Sequence, residues 1–387
     1  MDKFFVGGRI EFLGKHTDYA GGRSLVCAID KGFSVGCEAV EDNLITLTNE
    51  DTKEVVTFPL NENLTIEANH WANYPKTVAK RIAENFKSRK LRGVDINFTS
   101  NLPQAAGVSS SSAFVVATFL AISKANNLSE FEEFQCNIPD QFALGNYLGC
   151  LENGYDFGEL KGNRGVGTFG GSQDQTAIIC GIENHLSRFS FCPVRHEGDF
   201  PLSENYVFVI AASGVVAEKT GTAMAKYNRL SLMTREIVKK FDNTLSLAQV
   251  IEKYGFETVK AGLKSENLIN RLTQFYLESC EIISQVSELL AREEVEKIGG
   301  LIDKSHHNAD EMLGNQTPET NFLQKSGRKL GAIASSAFGA GFGGSVYSLI
   351  EKEKAENFME NWREKYVQKF PHLKPEFFIT KPSQSRF

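Results

Sequence analysis

The chain has 387 residues, 41% of them hydrophobic and 23% charged, which suits an ordinary globular enzyme with room for two or three domains. A formal net charge of −6 argues against a general binder of nucleic acid or of anionic membrane, and leaves room for a local basic pocket. Seven scattered cysteines with no Cys-x-x-Cys pair speak against a disulfide framework or zinc knuckle and for buried thiols in a reducing compartment. The opening Met-Asp-Lys-Phe-Phe is no charged-then-apolar leader, and no run reaches membrane-spanning length, so the expected location is cytoplasmic.

Residues 4–13 mix apolar positions with glycine and lead into Lys15-His16-Thr17-Asp18-Tyr19, framed by Gly14 and Gly21-Gly22. Ionisable residues between glycines suggest close backbone approach to a ligand; the alternative is a surface hairpin with incidental charges. Residues 24–39 read as strand, 43–49 and 54–60 as a hairpin, and 71–88 as a helix. Val94, Ile96 and Phe98 alternate with polar residues, which predicts a strand. Phe114, Val115, Thr118, Phe119 and Ile122 recur at helical spacing, which predicts a helix. The loop between them is rich in glycine and serine. A helix N-terminus there offers unpaired N–H groups and the positive end of a dipole, hence an anion site, most simply for phosphate. The plainer reading is a helix that the serines merely cap.

A helix over 131–146 should break or kink at Pro139. The glycine-rich stretch 154–171 contains Gly165-Val-Gly167-Thr-Phe-Gly170, which has neither the preceding strand nor the following helix of a dinucleotide fingerprint. Asp156-Phe157-Gly158 stands without the other protein-kinase motifs, and a Walker loop is absent. Short strands are expected near 177–181, 187–192 and 206–212, the last apolar throughout and therefore buried. Helices over 219–241, 268–290, 295–312 and 322–333 follow. Gly339-Ala-Gly341-Phe-Gly343-Gly344 then precedes a strand at 345–350, a helix at 351–368 and a strand at 377–379. Strands and helices mix without strict alternation, so the expected class is α+β. Composition turns helical around 200–215, which divides the chain into 1–204 and 205–387.

Three segments resemble the galactokinase branch of the GHMP small-molecule kinases. Gly8-Arg-Ile-Glu-Phe-Leu-Gly-Lys-His-Thr-Asp-Tyr-Ala-Gly-Gly22 is similar to its sugar-recognition signature, Leu102-Pro-Gln-Ala-Ala-Gly-Val-Ser-Ser-Ser-Ser112 to its phosphate loop, and Gly339–Gly344 to its third, glycine-rich motif. Gly171-Ser-Gln-Asp174-Gln175 and Ala225-Lys-Tyr227-Asn228-Arg229 are weaker matches in the right order, and Ser305-His306 is similar to a further family segment. The resemblance implies a two-domain GHMP kinase fold: a mixed α+β N-terminal domain with sugar signature and phosphate loop, a ferredoxin-like C-terminal domain, and the active site in the cleft. It also implies transfer of the γ-phosphoryl group of ATP to the anomeric C1 hydroxyl of a galactose-like sugar, a reaction governed by positioning and charge neutralisation.

By the same resemblance, Pro103, Ala106, Gly107, Ser109, Ser110, Ser111 and Ser112 would cradle ATP, joined by Gly341 and Gly343. Mg2+ would be held by Ser110 or Ser111 and by Glu152, hard oxygen donors of the kind magnesium prefers. Asp174 would act as base or orienting carboxylate for the acceptor hydroxyl, with Arg9 beside it as a fixed positive charge. Lys15, His16, Asp18, Gly171 and Tyr227 would read the sugar. The partners implied are a small-molecule sugar and ATP, with no nucleic acid and no membrane; no oligomeric state is implied.

One departure bears on the substrate. The family signature usually has glutamate, a contact for the sugar's outer hydroxyl, where this chain has Lys15. Lysine has donors only and suits a carboxylate or phosphate. Either the substrate is an acidic sugar such as galacturonate, or Lys15 points away and Glu11 or another acid takes over the contact. A kinase for a heptose or amino sugar and a non-catalytic sugar sensor are the other readings.

Overall fold

The computed structural model describes residues 2–66, 70–103, 107–215 and 221–387, with the backbone alone for 221–224. Two sheets carry the site. The first contains β1 (Asp2–Leu13), β2 (Arg23–Val40), β3 (Leu44–Asn49), β4 (Val55–Pro59), β5 (Gly93–Ser100), β6 (His185–Ser190) and β7 (Arg195–Pro201). The second contains β8 (Tyr206–Ala212), β9 (Ala334–Phe338), β10 (Ser345–Glu351) and β11 (Glu376–Thr380); β12 (Pro382–Ser383) returns to the first. In the first sheet the order is β4-β3-β5-β2-β6-β7, with β1 and β12 also paired to β2. Only the β3–β5 pair is parallel among the described pairs. The 18-residue β2 is the spine, and β1 runs antiparallel along nearly its whole length.

The helix Ser110–Asn126 is apolar on almost every side and buried accordingly, against β1 and β2. It begins after Ser109 and ends before Asn127, both left-handed at φ 58° and 50°. Pro139 separates two helices as expected, Glu132–Asn137 and Gln141–Asn153. Asp140 caps the second by accepting from Ala143 N at 2.8 Å, and Gly154 (φ 82°) ends it.

Of residues 177–181, expected as strand, 177–180 belong instead to the helix Gln173–Cys180, which Gly181 ends. A short apolar run such as Ala177-Ile-Ile-Cys180 fits a buried strand and a buried helix equally, so periodicity could not decide. The strand β7 was not expected, because Arg195-His-Glu-Gly-Asp-Phe-Pro201 is polar; charge is how an edge strand is protected. The helix expected over 322–333 lies at Pro318–Lys329, started by Thr317, whose hydroxyl accepts from Thr320 N, with Pro318 in the first turn.

The second sheet is antiparallel in the order β11-β8-β10-β9. With helices between β8 and β9 and the helix Ala355–Lys369 between β10 and β11, this is the βαββαβ arrangement of a ferredoxin-like unit. The β8–β9 connection is long and helical. It includes Gly221–Lys239, and Glu266–Tyr276 continuing through a π-helical stretch, Leu277–Ile282, into Ile283–Ala291. The two sheets share one core. Phe12 and Tyr347 stack at 5.1 Å, and Tyr347 Oη donates to Phe12 O at 2.7 Å. No helix among the described residues is long and apolar enough to cross a membrane.

Candidate active site

A cleft of about 810 Å³, counting space open to solvent, lies where β1, the serine loop, the start of helix Gln173–Cys180 and the turn Gly339–Phe342 meet. Side chains alternate along a strand, so β1 sends both Arg9 and Glu11 to this side. Arg9 is buried. Its Nε donates to Asp174 Oδ1 at 2.7 Å and its Nη1 to Gly107 O at 2.8 Å. One guanidinium thus ties the serine loop to the aspartate. Ser109 Oγ also donates to Asp174 Oδ2. Ser112 Oγ donates to Glu152 Oε2 at 2.9 Å and approaches Asp174 Oδ2 at 3.3 Å. Gln175 Nε2 donates to Glu152 Oε2 at 2.6 Å. Gly107 and Ser109 are left-handed at φ 65° and 58°. For serine that conformation costs of order 1–2 kcal/mol, a strain typical of ligand-gripping loops.

At the other wall, His16 is held by both ring nitrogens. Nε2 lies 3.0 Å from Ala340 O and must carry the proton, so Nδ1 accepts from Tyr19 Oη at 2.9 Å. Burial first, then the nearby Arg271 cation, hold its pKa down at about 3, so the ring is neutral. Asp18 Oδ2 accepts from Gln173 N at 3.2 Å, and burial raises its carboxyl to about 6. Tyr227 lies 5.3 Å from the His16 ring. Glycines make the wall close-fitting: a Cβ on Gly171 would lie 2.4 Å from Asp18 Oδ2, and one on Gly170 2.9 Å from Tyr227 Oη.

Comparison with known proteins gives the family and the fold. Residues 73–139 match the family model "GHMP kinases N terminal domain", residues 286–368 "GHMP kinases C terminal", and residues 4–38 "Galactokinase galactose-binding signature". The galactokinase of Fusobacterium nucleatum is 27% identical over 390 residues, covering 98% of this chain and 92% of the relative. That of Pyrococcus furiosus is 28% identical over 378 residues, covering 97% and 96%. The chain belongs to the galactokinase family of GHMP kinases. It is a galactokinase-type, ATP-dependent sugar kinase, a phosphotransferase with an alcohol group as acceptor. In fold it matches a crystal structure of Lactococcus lactis galactokinase complexed with galactose, with a TM-score of 0.82 at 23% identity over 99% of this chain and 94% of that one. The Methanococcus jannaschii mevalonate kinase follows the fold more loosely, with a TM-score of 0.59 at 15% identity over 99% and 98%.

Within this kinase, Arg9, His16, Asp18, Ser112, Glu152, Gly171, Asp174, Tyr227 and Gly341 all line the cleft. Lys15 does not. Its ammonium donates to Ser305 Oγ at 3.0 Å, and Ser305 Oγ donates to Glu278 Oε1 at 3.0 Å, in a buried cluster facing away from the cleft. The expectation that Lys15 reads the sugar is therefore corrected: Glu278, on the π-helical stretch, draws it inward, and also accepts from Gly14 N at 2.9 Å. Among the serines, Ser112, on the buried face of the first turn of its helix, donates to Glu152, while Ser110 and Ser111 sit on less buried positions. Gly343 turns at φ 124°, and a Cβ there would lie 2.9 Å from Val215 O. Pro103 lines a separate depression with Arg363 and Phe377. Ala106 lies outside the described residues.

His306 is occupied structurally: Nδ1 accepts from Ala337 N at 3.2 Å and Nε2 faces Asn321 Oδ1 at 2.8 Å. Sequence reasoning passed over Asn153, which anchors the 154–171 stretch to the cleft. Its Oδ1 accepts from Thr168 Oγ1 at 2.7 Å and Gly170 N at 2.9 Å, and its Nδ2 donates to Gly171 O at 2.9 Å. It also passed over the functional placement of Gln173 and Gln175, whose only signal was adjacency to Asp174.

Proposed function

We propose that this kinase phosphorylates the C1 hydroxyl of galactose, or of a neutral sugar closely like it, at the expense of ATP. The observation that carries the reading is the Arg9–Asp174 pair, 2.7 Å apart at the seam between serine loop and sugar signature. Asp174 is positioned to accept or orient the anomeric hydroxyl proton, and this hydroxyl is more acidic than an ordinary alcohol, so a modest base suffices. Arg9 offsets the charge gathering on the transferring group. The N-terminus of helix Ser110–Asn126 and the loop before it take the phosphates, while His16, Asp18 and Tyr227 form the sugar wall and Gly171 lets the backbone close on it. We divide the chain at 204/205, between β7 and β8. All seven cysteines are free, which supports a reducing cytoplasmic location.

Ser112 Oγ, Glu152 and Asp174 bring a hydroxyl and two carboxylates together within 3.3 Å contacts, a hard oxygen set of the kind that suits Mg2+. We assign Ser112 and Glu152 as its holders. When bound, the ion supplies neutralisation of phosphate charge.

An acidic sugar loses its support once Lys15 is turned away. The acids that do line the sugar wall, Glu11 and Asp18, disfavour a second carboxylate beside them. The test is ADP release over galactose, glucose, galacturonate and N-acetylgalactosamine. Galactose should give the highest kcat/KM; preference for galacturonate, or no release with any sugar, overturns the reading.

A further inference from the structure

We propose that Glu11 recognises the sugar hydroxyls remote from C1, at the C4 and C6 end of the ring, and that Lys15 behind it is a positioning counter-charge. The inference rests on the sugar-kinase reading above and names a contact which that reading leaves open. From Arg9 to Glu11 the strand is regular, pairing Arg9, Ile10 and Glu11 with Ala28, Cys27 and Val26. Glu11 therefore shares the face of Arg9 and stands about 7 Å farther along it. Arg9 grips Asp174 at the reacting end, so Glu11 faces the opposite end of a ring laid with C1 toward Asp174.

The side chain is built for a ligand. Glu11 is 3% exposed and lines the cleft. Its Oε1 has no hydrogen-bond partner among the described residues. A buried polar oxygen left unpaired is costly, and a sugar hydroxyl would relieve that cost. Burial raises the carboxyl to about 8, against the pull of Lys15 and Arg9, so near neutral pH it can both donate and accept.

Lys15 explains how the acid is tolerated there. It is 1% exposed and anchored through Ser305 to Glu278 of the C-terminal half. Its charge acts on Glu11 from behind, so one cation serves the two buried acids Glu11 and Glu278. The usual family glutamate at position 15 is thus replaced by an acid one strand face away, with a lysine backing it. A C6 carboxylate would have to bury its own charge beside the buried Glu11 carboxyl, a costly desolvation, which makes the fitting ligand a neutral hexose.

The test compares kcat/KM for galactose, 4-deoxygalactose, 6-deoxygalactose and galacturonate in the wild-type kinase, Glu11→Gln, Glu11→Asp and Lys15→Met. Wild-type enzyme should reject at least one deoxysugar about tenfold or more, because its loss leaves a buried acid unpaired. Glu11→Gln and the shortened Glu11→Asp should lose galactose turnover by about the same factor and lose little on that deoxysugar, so discrimination collapses. Lys15→Met should raise KM more than it lowers kcat and keep the discrimination ratio; Lys15→Arg should restore KM. Galactose turnover with an unchanged ratio in both Glu11 variants overturns this proposal alone. So does a Lys15→Met variant that loses discrimination while the Glu11 variants keep it. Failure of wild-type enzyme on every neutral hexose overturns the sugar-kinase reading with it.

Discussion

Replacing Lys15 by glutamate restores the residue usual in the family signature, yet it should harm this protein. Lys15 is buried at 1% exposure, and its ammonium lies 3.0 Å from Ser305 Oγ. Glu278 is fully buried with one oxygen unpartnered among the described residues, and Glu11 is in the same state. Removing the cation leaves the buried Ser305–Glu278 cluster without its counter-charge, a loss of up to about 3–5 kcal/mol, and placing a third acid there adds to it. At roughly 2 °C per kcal/mol for a large chain, Lys15→Glu should melt about 6–10 °C below wild type. Thermal unfolding by circular dichroism, with and without galactose, reads this directly. A melting point within about 2 °C of wild type, together with improved kcat/KM for galactose, would refute the placement of Lys15 away from the sugar.

Three further outcomes follow from the geometry. His16 titrates at about 3 in the fold against 6.5 unfolded, so the unfolded chain takes up a proton the native one refuses, and stability falls as pH drops from 6.5 toward 3. Glu11, raised from 4.5 to about 8, works in the other direction: its contribution is full below 4.5 and lost as pH rises through 8. Urea unfolding across pH 3–9 should therefore show a flatter acid limb in His16→Gln and a flatter alkaline limb in Glu11→Gln; limbs parallel to wild type would count against both shifts. Gly171→Ala places a Cβ 2.4 Å from Asp18 Oδ2, and displacement of Asp18 on this scale should cost up to about 10²-fold in kcat/KM for the sugar with little change in KM for ATP. Ser112→Ala removes the hydroxyl that holds Glu152 and should weaken Mg2+ dependence of the rate by about 10–100-fold; a larger effect from Ser110→Ala would return the metal to the earlier serine register.

Much of the fold was legible because local signals agreed with tertiary ones. The alternation at Val94, Ile96 and Phe98 and the apolar helix after Ser109 fixed the loop between them, and Pro139 broke its helix where a missing N–H must. The run Ala177–Cys180 was misread because burial on all sides erases the difference between periods of 2 and 3.6. Strand β7 was invisible because it is an edge. At the site, Arg9, Asp18 and Asp174 could be placed by their company in motifs. Lys15 could not, because its direction is decided by Glu278, 263 residues away, and nothing in the local sequence announces that partner. Glu11 was named only as a substitute, although its two-residue spacing from Arg9 already put both on one strand face.

The most direct measurement of the central claim is the position of the phosphate in the product. The kinase, galactose, ATP and Mg2+ should yield a sugar phosphorylated at C1, read by phosphorus–proton coupling in NMR, and Asp174→Asn should slow its formation by about 10²–10⁴-fold without loss of ATP binding. Phosphate at C6, or an Asp174→Asn enzyme that forms product at the wild-type rate, would contradict the account.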